Sequence, residues 1–247
     1  MIDTHAHLDS AGAGADALVE RARAAGVDRI VAVGSGVASC RETLAIARRH
    51  EGVSAALGIH PHQAGDAAER PDLIRALFGD AKAVAVGETG LDFYRDYAPR
   101  DRQRDVFRRQ LVLADELGKP VVVHSRAAED ETAAELEPFA GTVVLHCFSS
   151  PGLLRPALER GYYVSFAGNV TFPNASELRA AARQVPADRI LAETDTPYLA
   201  PQPVRGRLNE PAHVLYTVQA LAEARGEDVD DLAARIEANA IHAFALE

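Results

Sequence analysis

Cysteine is scarce in this chain: only Cys40 and Cys147 occur among 247 residues, far apart and outside any CxxC pattern. This scarcity excludes a disulfide scaffold and indicates a reducing, intracellular environment. Long apolar runs are missing too, since no stretch approaches the roughly 20 residues that a membrane helix needs. The first residues show no basic segment followed by an apolar one, as a signal peptide would. We therefore predict a cytoplasmic protein without membrane contact.

Positive charge is the second shortage. The chain has 26 lysines and arginines against 36 aspartates and glutamates, for a formal net charge of −10 and a pI near 5.4. Binding of duplex DNA over an extended basic surface, which depends on many Lys and Arg contacts to phosphates, is therefore disfavoured. The end of a nucleic-acid strand could still enter a cleft in which metals and a few arginines reverse the local sign.

Short apolar runs alternate with longer amphipathic stretches along the whole chain. Eight of the runs, rich in Val, Ile, Ala and Leu without polar alternation, are typical of parallel strands buried on both faces. These runs lie at residues 2–8, 29–34, 53–58, 83–87, 121–124, 143–146, 162–166 and 189–192. Helices are predicted between them at residues 15–25, 40–50, 102–117, 153–160 and 175–184.

Eight strands separated by helical segments predict βαβ units that close into an α/β barrel, a TIM-like (β/α)8 fold, as a single domain over residues 1–247. An open doubly wound sheet is the alternative, and Gly34-Ser35-Gly36 after the second run would favour it. Position 39 is Ser39 rather than glycine, and no P-loop follows, so we interpret this segment as an ordinary turn.

Polar side chains that are costly to bury occur where these runs end. The carboxyl ends of barrel strands converge on one face, so we expect these side chains around one cavity. Residues two apart on a strand point to the same side, and paired imidazoles suit zinc or a similar divalent ion. The side chains at the ends of the runs are His5, His7, Glu88, His124, His146, Glu193 and Asp195.

All of these except Glu193 are candidate metal ligands. A metal-free, hydrogen-bonded cluster is the alternative, but several unpaired buried polar groups would be expensive together. Six ligands exceed what one four-coordinate catalytic ion needs, so we predict two divalent ions, with Glu88 between them. The nitrogen-rich set suits Zn²⁺ or Mn²⁺ better than an all-oxygen Mg²⁺ cage, although the identity stays open among the three.

A series of motifs runs in order over almost the whole chain. The motifs are Asp3-Thr4-His5-Ala6-His7-Leu8, Gly58-Ile59-His60-Pro61, Gly87-Glu88-Thr89-Gly90-Leu91-Asp92, His124-Ser125-Arg126, His146-Cys147-Phe148-Ser149, Glu193-Thr194-Asp195-Thr196-Pro197 and Asn209-Glu210-Pro211. The series resembles the TatD-type deoxyribonucleases of the amidohydrolase-like barrel superfamily. Ala6 replaces a cysteine common in that family, and Ser150 replaces a frequent glycine, but neither departure removes a ligand.

The resemblance implies a metal-dependent deoxyribonuclease or phosphodiesterase, often a 3′ exonuclease, on a TIM-like barrel. The expected partner is a nucleic-acid end, chiefly of single-stranded DNA, with no obligate protein partner. Carried over by position, one ion would be held by His5, His7 and Asp195 and the other by His124 and His146, with Glu88 bridging.

The expected mechanism is hydrolysis by a metal-activated water, in which Asp195 orients the water and takes its proton and Glu88 is the second catalytic residue. Arg126 and Arg205 are candidate phosphate contacts, with a solvated surface position as the alternative. The candidate substrate contacts, with a loop-structuring role as the alternative, are His60 and His62.

Three further expectations concern side chains near these motifs. Asp92 and Glu193 are predicted to orient metal ligands from behind. Cys147 is expected on the opposite strand face, packed against helices. Packing is also expected for three aromatic residues that could instead stack a base at the cavity rim; these are Phe93, Tyr94 and Tyr97.

Two other functions stay open. The same metal barrel can hydrolyse an amide, a lactone or a small phosphoester, and fold analogy does not separate these reactions. A metal-binding protein without turnover is the other alternative. Such a protein would be expected to lack a ligand or the base, and here every one is present.

Overall fold

Eight parallel strands form one sheet whose spatial order follows the sequence. The computed structural model describes residues 1–10, 14–95 and 97–246. The strands are β1 (Ile2–Ala6), β2 (Arg29–Gly34), β3 (Val53–Leu57), β4 (Ala83–Asp92), β5 (Val121–Arg126), β6 (Val143–Leu145), β7 (Tyr163–Phe166) and β8 (Ile190–Ala192).

The sheet curls until its first and last strands meet. Ala6 pairs in parallel with Thr196, a few residues beyond β8. The His7 amide donates to the Thr196 carbonyl over 2.8 Å, and the Asp195 amide donates to the His5 carbonyl over 3.0 Å. These contacts close a (β/α)8 barrel of the TIM type, as predicted. The open doubly wound sheet is wrong, because neighbouring strands follow each other in sequence.

Helices surround the barrel and follow every strand except the third. They are α1 (Ala15–Ala24), α2 (Val37–Arg49), α3 (Arg100–Leu117), α4 (Glu129–Leu136), α5 (Leu154–Glu159), α6 (Ser176–Gln184), α7 (Val214–Arg225) and α8 (Val229–Phe244). After β3 the chain makes three short 3-10 turns instead, at Pro61–Gln63, Pro71–Leu73 and Arg75–Gly79. Among the described residues, no helix combines the length and the apolar character needed to cross a membrane.

The core lies between the barrel and these helices. All ten residues of β4 are buried, as expected for a parallel strand covered on both faces. In α3, Phe107, Leu111 and Ala114 are buried; their spacing of four and three residues puts them on one face of the helix, toward the barrel. Cys40 and Cys147 are free thiols, so no disulfide supports this core.

Two irregularities in strand register lie where the barrel carries its polar side chains. Between the pairs Asp3–Ile30 and Ala6–Ala32, β1 advances by three residues while β2 advances by two, and His5 lies in this interval. Between the pairs Val86–Val121 and Thr89–Val123, β4 advances by three residues while β5 advances by two, and Glu88 lies in this interval. An additional residue of this kind re-aims nearby side chains.

Close approach of β4 to β5 requires a glycine beside Glu88. Gly90 has a φ of 132°, and a Cβ atom there would lie 2.0 Å from the carbonyl oxygen of His124. No side chain fits in that space, and an L residue rarely adopts that φ. Gly90 therefore fixes how closely Glu88 approaches His124.

Strand boundaries differ from the prediction chiefly at the carboxyl ends. β1 ends at Ala6 rather than residue 8, because the backbone there turns to bond beyond β8. β4 continues to Asp92 rather than ending at residue 87, so Glu88 lies within the strand. β6 ends at Leu145, one residue early.

Candidate metal centre

The carboxyl ends of the strands surround a cavity of about 790 Å³, within the size range of ligand-binding sites. Five predicted ligands line it: His7, Glu88, His124, His146 and Asp195. The sixth, His5, lies beneath them, fully buried. Its ring stacks on that of His146, with 4.0 Å between centroids. All six side chains thus meet in one place.

The carboxylate of Glu88 lies at the centre of this group. Its Oε2 atom is 3.5 Å from Nε2 of His5 and 3.5 Å from Nε2 of His7. Its Oε1 atom is 2.9 Å from Nδ1 of His124 and 2.7 Å from Nε2 of His146. One carboxylate therefore presents its two oxygens to two different pairs of imidazoles.

Asp195 belongs to the pair of His5 and His7. Its Oδ1 atom lies 3.9 Å and 3.7 Å from their Nε2 atoms. Its backbone has a φ of 57° and is fixed at both ends of the residue. The Asp195 amide donates to the His5 carbonyl, and the Asp195 carbonyl accepts from the Tyr198 amide over 2.8 Å. Burial raises the pKa of its carboxyl to about 6, although His146 and His7 oppose the rise.

Carboxylates behind two histidines set which nitrogen carries the proton. Nε2 of His124 donates to Asp92 over 3.2 Å, and Nδ1 of His146 donates to Glu193 over 3.1 Å. The other nitrogens, Nδ1 of His124 and Nε2 of His146, lie 3.3 Å apart and face Glu88. Protein carboxylates commonly orient metal-binding imidazoles in this way.

When these rings are neutral, acceptor atoms consequently face acceptor atoms around Glu88. The Nε2 atoms of His5 and His7 are 3.3 Å apart, and Nδ1 of His5 is buried without a hydrogen-bond partner among the described residues. Converging lone pairs beside a buried carboxylate are costly unless a cation lies among them. The donor atoms of His5, His7 and Glu88 all lie within 4.8 Å of one another. Imidazole nitrogens with carboxylate oxygens are a suitable set for Zn²⁺ or Mn²⁺, so the residues fit a metal centre.

The electrostatics of the site point the same way. Burial alone would raise the pKa of Glu88, but the neighbouring His146 and His60 hold it well below its ordinary value. Burial would lower the pKa of His146, but Glu88 and Glu193 raise it well above its ordinary value. The cluster therefore favours positive charge next to Glu88.

His60 also reaches Glu88, but as a hydrogen-bond donor. Its Nδ1 atom accepts the backbone amide of His62 over 3.1 Å, and burial lowers its pKa to about 4. The single proton of the neutral ring therefore sits on Nε2, which lies 3.3 Å from Oε1 of Glu88. A metal ligand would need a free lone pair there, so His60 is not suited to that role.

The remaining predicted contacts lie at different depths. His62 lines the cavity, and its Nε2 lies 2.8 Å from Asp92. Arg126 lines the mouth, with its guanidinium 4.1 Å from the centroid of the Tyr94 ring. Arg205 lies over Phe172 at 3.8 Å, outside the cavity lining as far as the described residues extend.

Sequence reasoning missed the residues that hold the loop after β8. Asp3 is fully buried and accepts the Thr194 amide over 2.9 Å and the Thr194 hydroxyl over 2.6 Å. Asn209 donates to the carbonyls of Thr194 and Tyr198 over 2.8 and 2.7 Å. Both residues lie within motifs of the series described above, but nothing in those motifs indicated that Asp3 and Asn209 hold this loop.

The expectation for Cys147 is wrong, because it lines the cavity. β6 has already ended, and Cys147 has a φ of 45°, so strand alternation no longer sets its direction. Burial raises the pKa of its thiol well above the ordinary value, which argues against a nucleophile.

The glycine-containing turn after β2 holds a carboxylate. Glu69 accepts the Val37 amide at the start of α2 over 2.6 Å, where a phosphate would bind in a phosphate loop. The turn therefore offers no free anion site, in line with its interpretation from the sequence.

A model of the family described as TatD related DNase matches residues 2–245. The chain belongs to this family. The predicted family is thereby confirmed, and family membership makes the chain a metal-dependent hydrolase.

Relatives of the family support this assignment over more than nine-tenths of their length. The chain is 36% identical over 254 residues to the uncharacterized metal-dependent hydrolase YabD of Bacillus subtilis, covering 100% of this chain and 99% of that one. It is 39% identical over 242 residues to the 3′-5′ ssDNA/RNA exonuclease TatD of Cronobacter sakazakii, covering 93% and 91%. The crystal structure of YjjV, a TatD homologue from Escherichia coli, superposes with a TM-score of 0.92 at 31% identity, covering 100% and 98%.

Proposed function

We propose that the protein is a two-metal phosphodiesterase that removes nucleotides from the 3′ ends of single-stranded nucleic acid. The observation that carries the proposal is the position of the Glu88 carboxylate, whose two oxygens face two separate imidazole pairs. A shared carboxylate between two ions is a common arrangement for hydrolysis of phosphate esters. The name of the Cronobacter relative supports the substrate class.

The residues would be divided between two ions of Zn²⁺, Mn²⁺ or Mg²⁺. When bound, such ions lower the pKa of a water molecule and neutralise charge on phosphoryl oxygens. One would be held by His5, His7 and Asp195, the other by His124 and His146, and Glu88 would serve both.

The protein's own groups supply orientation and proton transfer. The Asp195 carboxylate, on a backbone fixed at both ends, accepts a proton from the attacking water. Asp92 and Glu193 hold protons on the far nitrogens of His124 and His146, which keeps the near lone pairs available. His60 donates from Nε2 to Glu88 and so fixes that carboxylate.

Two side chains at the mouth of the cavity would contact the substrate. Arg126 is exposed there and pairs with a phosphate, which a guanidinium does with two parallel hydrogen bonds. His62 faces the same space. The role of Arg205 as a phosphate contact stays a prediction, as do the cytoplasmic location, the one-domain organisation and action without a protein partner.

The test is hydrolysis of a single-stranded DNA oligomer labelled at its 5′ end. The protein is stripped of metal and assayed after addition of Mg²⁺, Mn²⁺ or Zn²⁺. We expect a ladder of products shortened from the 3′ end that requires added metal. Glu88→Ala should lose both the ladder and the bound metal, whereas Asp195→Asn should lose turnover while its circular dichroism spectrum stays unchanged.

A protein that binds two ions and shortens no oligomer with any metal would overturn the nuclease proposal. Activity on amide, lactone or small phosphoester substrates would then identify the alternative hydrolase. Metal binding without hydrolysis of any of these would leave a binding protein. Near-normal turnover by Asp195→Asn would remove that carboxylate from the mechanism.

A further inference from the structure

Three tyrosines stand out from the surface at the mouth of the cavity. Tyr94, Tyr97 and Tyr198 are 65%, 64% and 59% exposed. The expectation that Tyr94 and Tyr97 pack is therefore wrong, whereas Phe93 between the strand and these two is buried, as expected. Burying an aromatic ring normally contributes favourably to folding, so rings left exposed around one cavity point to a ligand.

These tyrosines lie on opposite sides of the mouth. Tyr94 and Tyr97 follow β4, and Tyr198 follows β8. The two strands are four positions apart in a closed sheet of eight, which puts them across the barrel from each other. Tyr97 and Tyr198 both line the cavity, and Tyr198 lies 6.2 Å, between ring centroids, from His7 of the metal centre.

Positive charge accompanies the rings on the β4 side. The guanidinium of Arg126 lies 4.1 Å from the centroid of Tyr94, and that of Arg95 lies 5.9 Å from it. Both arginines line the cavity. In the part of the chain that the structure describes, neither forms an ion pair with a carboxylate. In a protein with a net charge of −10, two unpaired arginines at the mouth favour an anionic ligand.

The aromatic residues after β4 are firmly attached to the site. The amides of Tyr94 and Arg95 donate to Oδ1 of Asp92 over 3.0 and 2.9 Å. The other oxygen of Asp92 contacts His124 of the metal centre. The ring of Tyr97 meets the edge of His62 at 4.8 Å between centroids. A backbone anchored in this way, and a ring already packed on a neighbouring side chain, lose little conformational freedom when a ligand stacks there.

We propose that Tyr94, Tyr97 and Tyr198 form an aromatic clamp for unpaired nucleobases, while Arg126 and Arg95 hold the adjoining phosphates. This inference rests on the proposed function and adds to it the reason for a single-stranded substrate. Each base of a single strand can turn toward a ring on either side of the mouth, and base–aromatic stacking is tolerant of sequence. Bases stacked and paired in a duplex present no free faces to such rings.

The test compares binding and cleavage in Tyr94→Ala, Tyr97→Ala and Tyr198→Ala. Binding is measured by fluorescence anisotropy with a single-stranded oligomer whose 3′-terminal linkages are phosphorothioates. Cleavage is measured on a normal oligomer and on the p-nitrophenyl ester of a single nucleotide. Tyr216→Ala is the matched control, because Tyr216 is also exposed, at 39%, but lies on α7 away from the cavity lining.

We expect each clamp variant to weaken oligomer binding roughly 5- to 150-fold, the range for loss of one base–aromatic stack. Tyr97→Phe, which keeps the aromatic ring, should bind the oligomer normally. Tyr216→Ala should match the wild type in every assay. The wild type should bind a blunt duplex much more weakly than the single strand.

The outcomes separate this inference from the proposed function. If the wild type binds the single strand through the tyrosines but cleaves no nucleic acid, the clamp stands and the nuclease proposal fails. If the wild type cleaves the oligomer while all three variants bind it normally, the nuclease stands and the clamp fails. Equal binding of duplex and single strand also overturns the clamp.

Discussion

Two carboxylates behind the histidines of this site decide which ring nitrogen is available to a metal. The proton of each ring is held on one nitrogen by Asp92 or Glu193, so His124 and His146 can each offer only the other. Residue types in a sequence indicate which side chains can bind a metal, but not which nitrogen is available. That information comes from contacts between distant parts of the chain.

Removal of the carboxylate behind His146 tests this point. In Glu193→Ala the ring loses the acceptor for Nδ1, and we expect the metal affinity to fall about 10- to 100-fold. Glu193→Gln keeps an oxygen that can accept from both His146 and the Cys147 amide, so its loss should be smaller. Competition with a chromophoric chelator measures both affinities, and an alanine variant as tight as the wild type would contradict the interpretation.

Asp3 allows a similar comparison of stability. Asp3→Ala leaves the amide and hydroxyl of Thr194 without their buried acceptor, and each unpaired group costs about 1–3 kcal/mol. Asp3→Asn retains an acceptor oxygen of nearly the same shape and should lose less. Urea unfolding monitored by circular dichroism gives the free energy of unfolding for each variant. Equal losses in the two variants would show that these hydrogen bonds contribute little.

The barrel strands were predictable because parallel strands covered on both faces leave continuous apolar runs. All eight were found, and their order and closure agree with the prediction. Their ends were less predictable, since hydrogen bonds to neighbouring strands decide where a strand stops. β4 continues past Gly87 because β5 lies beside it as far as Asp92.

Two local features of the backbone could not be predicted from the sequence pattern. The additional residues in β1 and β4 depend on pairing with strands far along the chain. The direction of Cys147 depends on a backbone turn after β6 rather than on alternation. The six candidate ligands nevertheless lie together as expected. Five of them lie at or near the carboxyl end of a barrel strand, and Glu88, which lies within β4, faces the same cavity.

Gly90 offers a test of the close approach between β4 and β5. A methyl group at this position would lie 2.0 Å from the His124 carbonyl, so Gly90→Ala should separate the strands and displace His124 from Glu88. We expect a lower melting temperature and a lower metal content, measured by calorimetry and by mass spectrometry of the metal.

Gly118→Ala is the control for this substitution. Gly118 also has a positive φ, of 61°, but no atom of the residues that the structure describes lies within 4 Å of an added Cβ atom. Its replacement should reduce stability slightly and leave the metal content unchanged. If both variants lost metal equally, backbone conformation rather than strand separation would be the cause.

The candidate ligands join strands from all around the barrel, so metal binding and folding are linked. A ligand that binds only the folded chain stabilises it by about 2.7 kcal/mol when present at a hundred times its dissociation constant. For a chain of this size, removal of the metal should therefore lower the melting temperature by roughly 5–10 °C. Differential scanning calorimetry before and after chelation measures the change.

Restoring the ion should restore the melting temperature of the wild type. Glu88→Ala, which lacks the central carboxylate, should melt at the same temperature with and without added metal. A wild-type protein that binds metal but shows no change in melting temperature would mean that the unfolded chain binds the ions equally well.

The distribution of the six side chains from His5 to Asp195 also bears on when the protein can act. A nascent chain, or any fragment that stops short of Asp195, contains at most five of them and lacks the carboxylate proposed to take the proton. During synthesis, hydrolytic activity can therefore appear only after most of the polypeptide has emerged from the ribosome. Proteolysis that releases either β1 or the loop after β8 would end that activity at once.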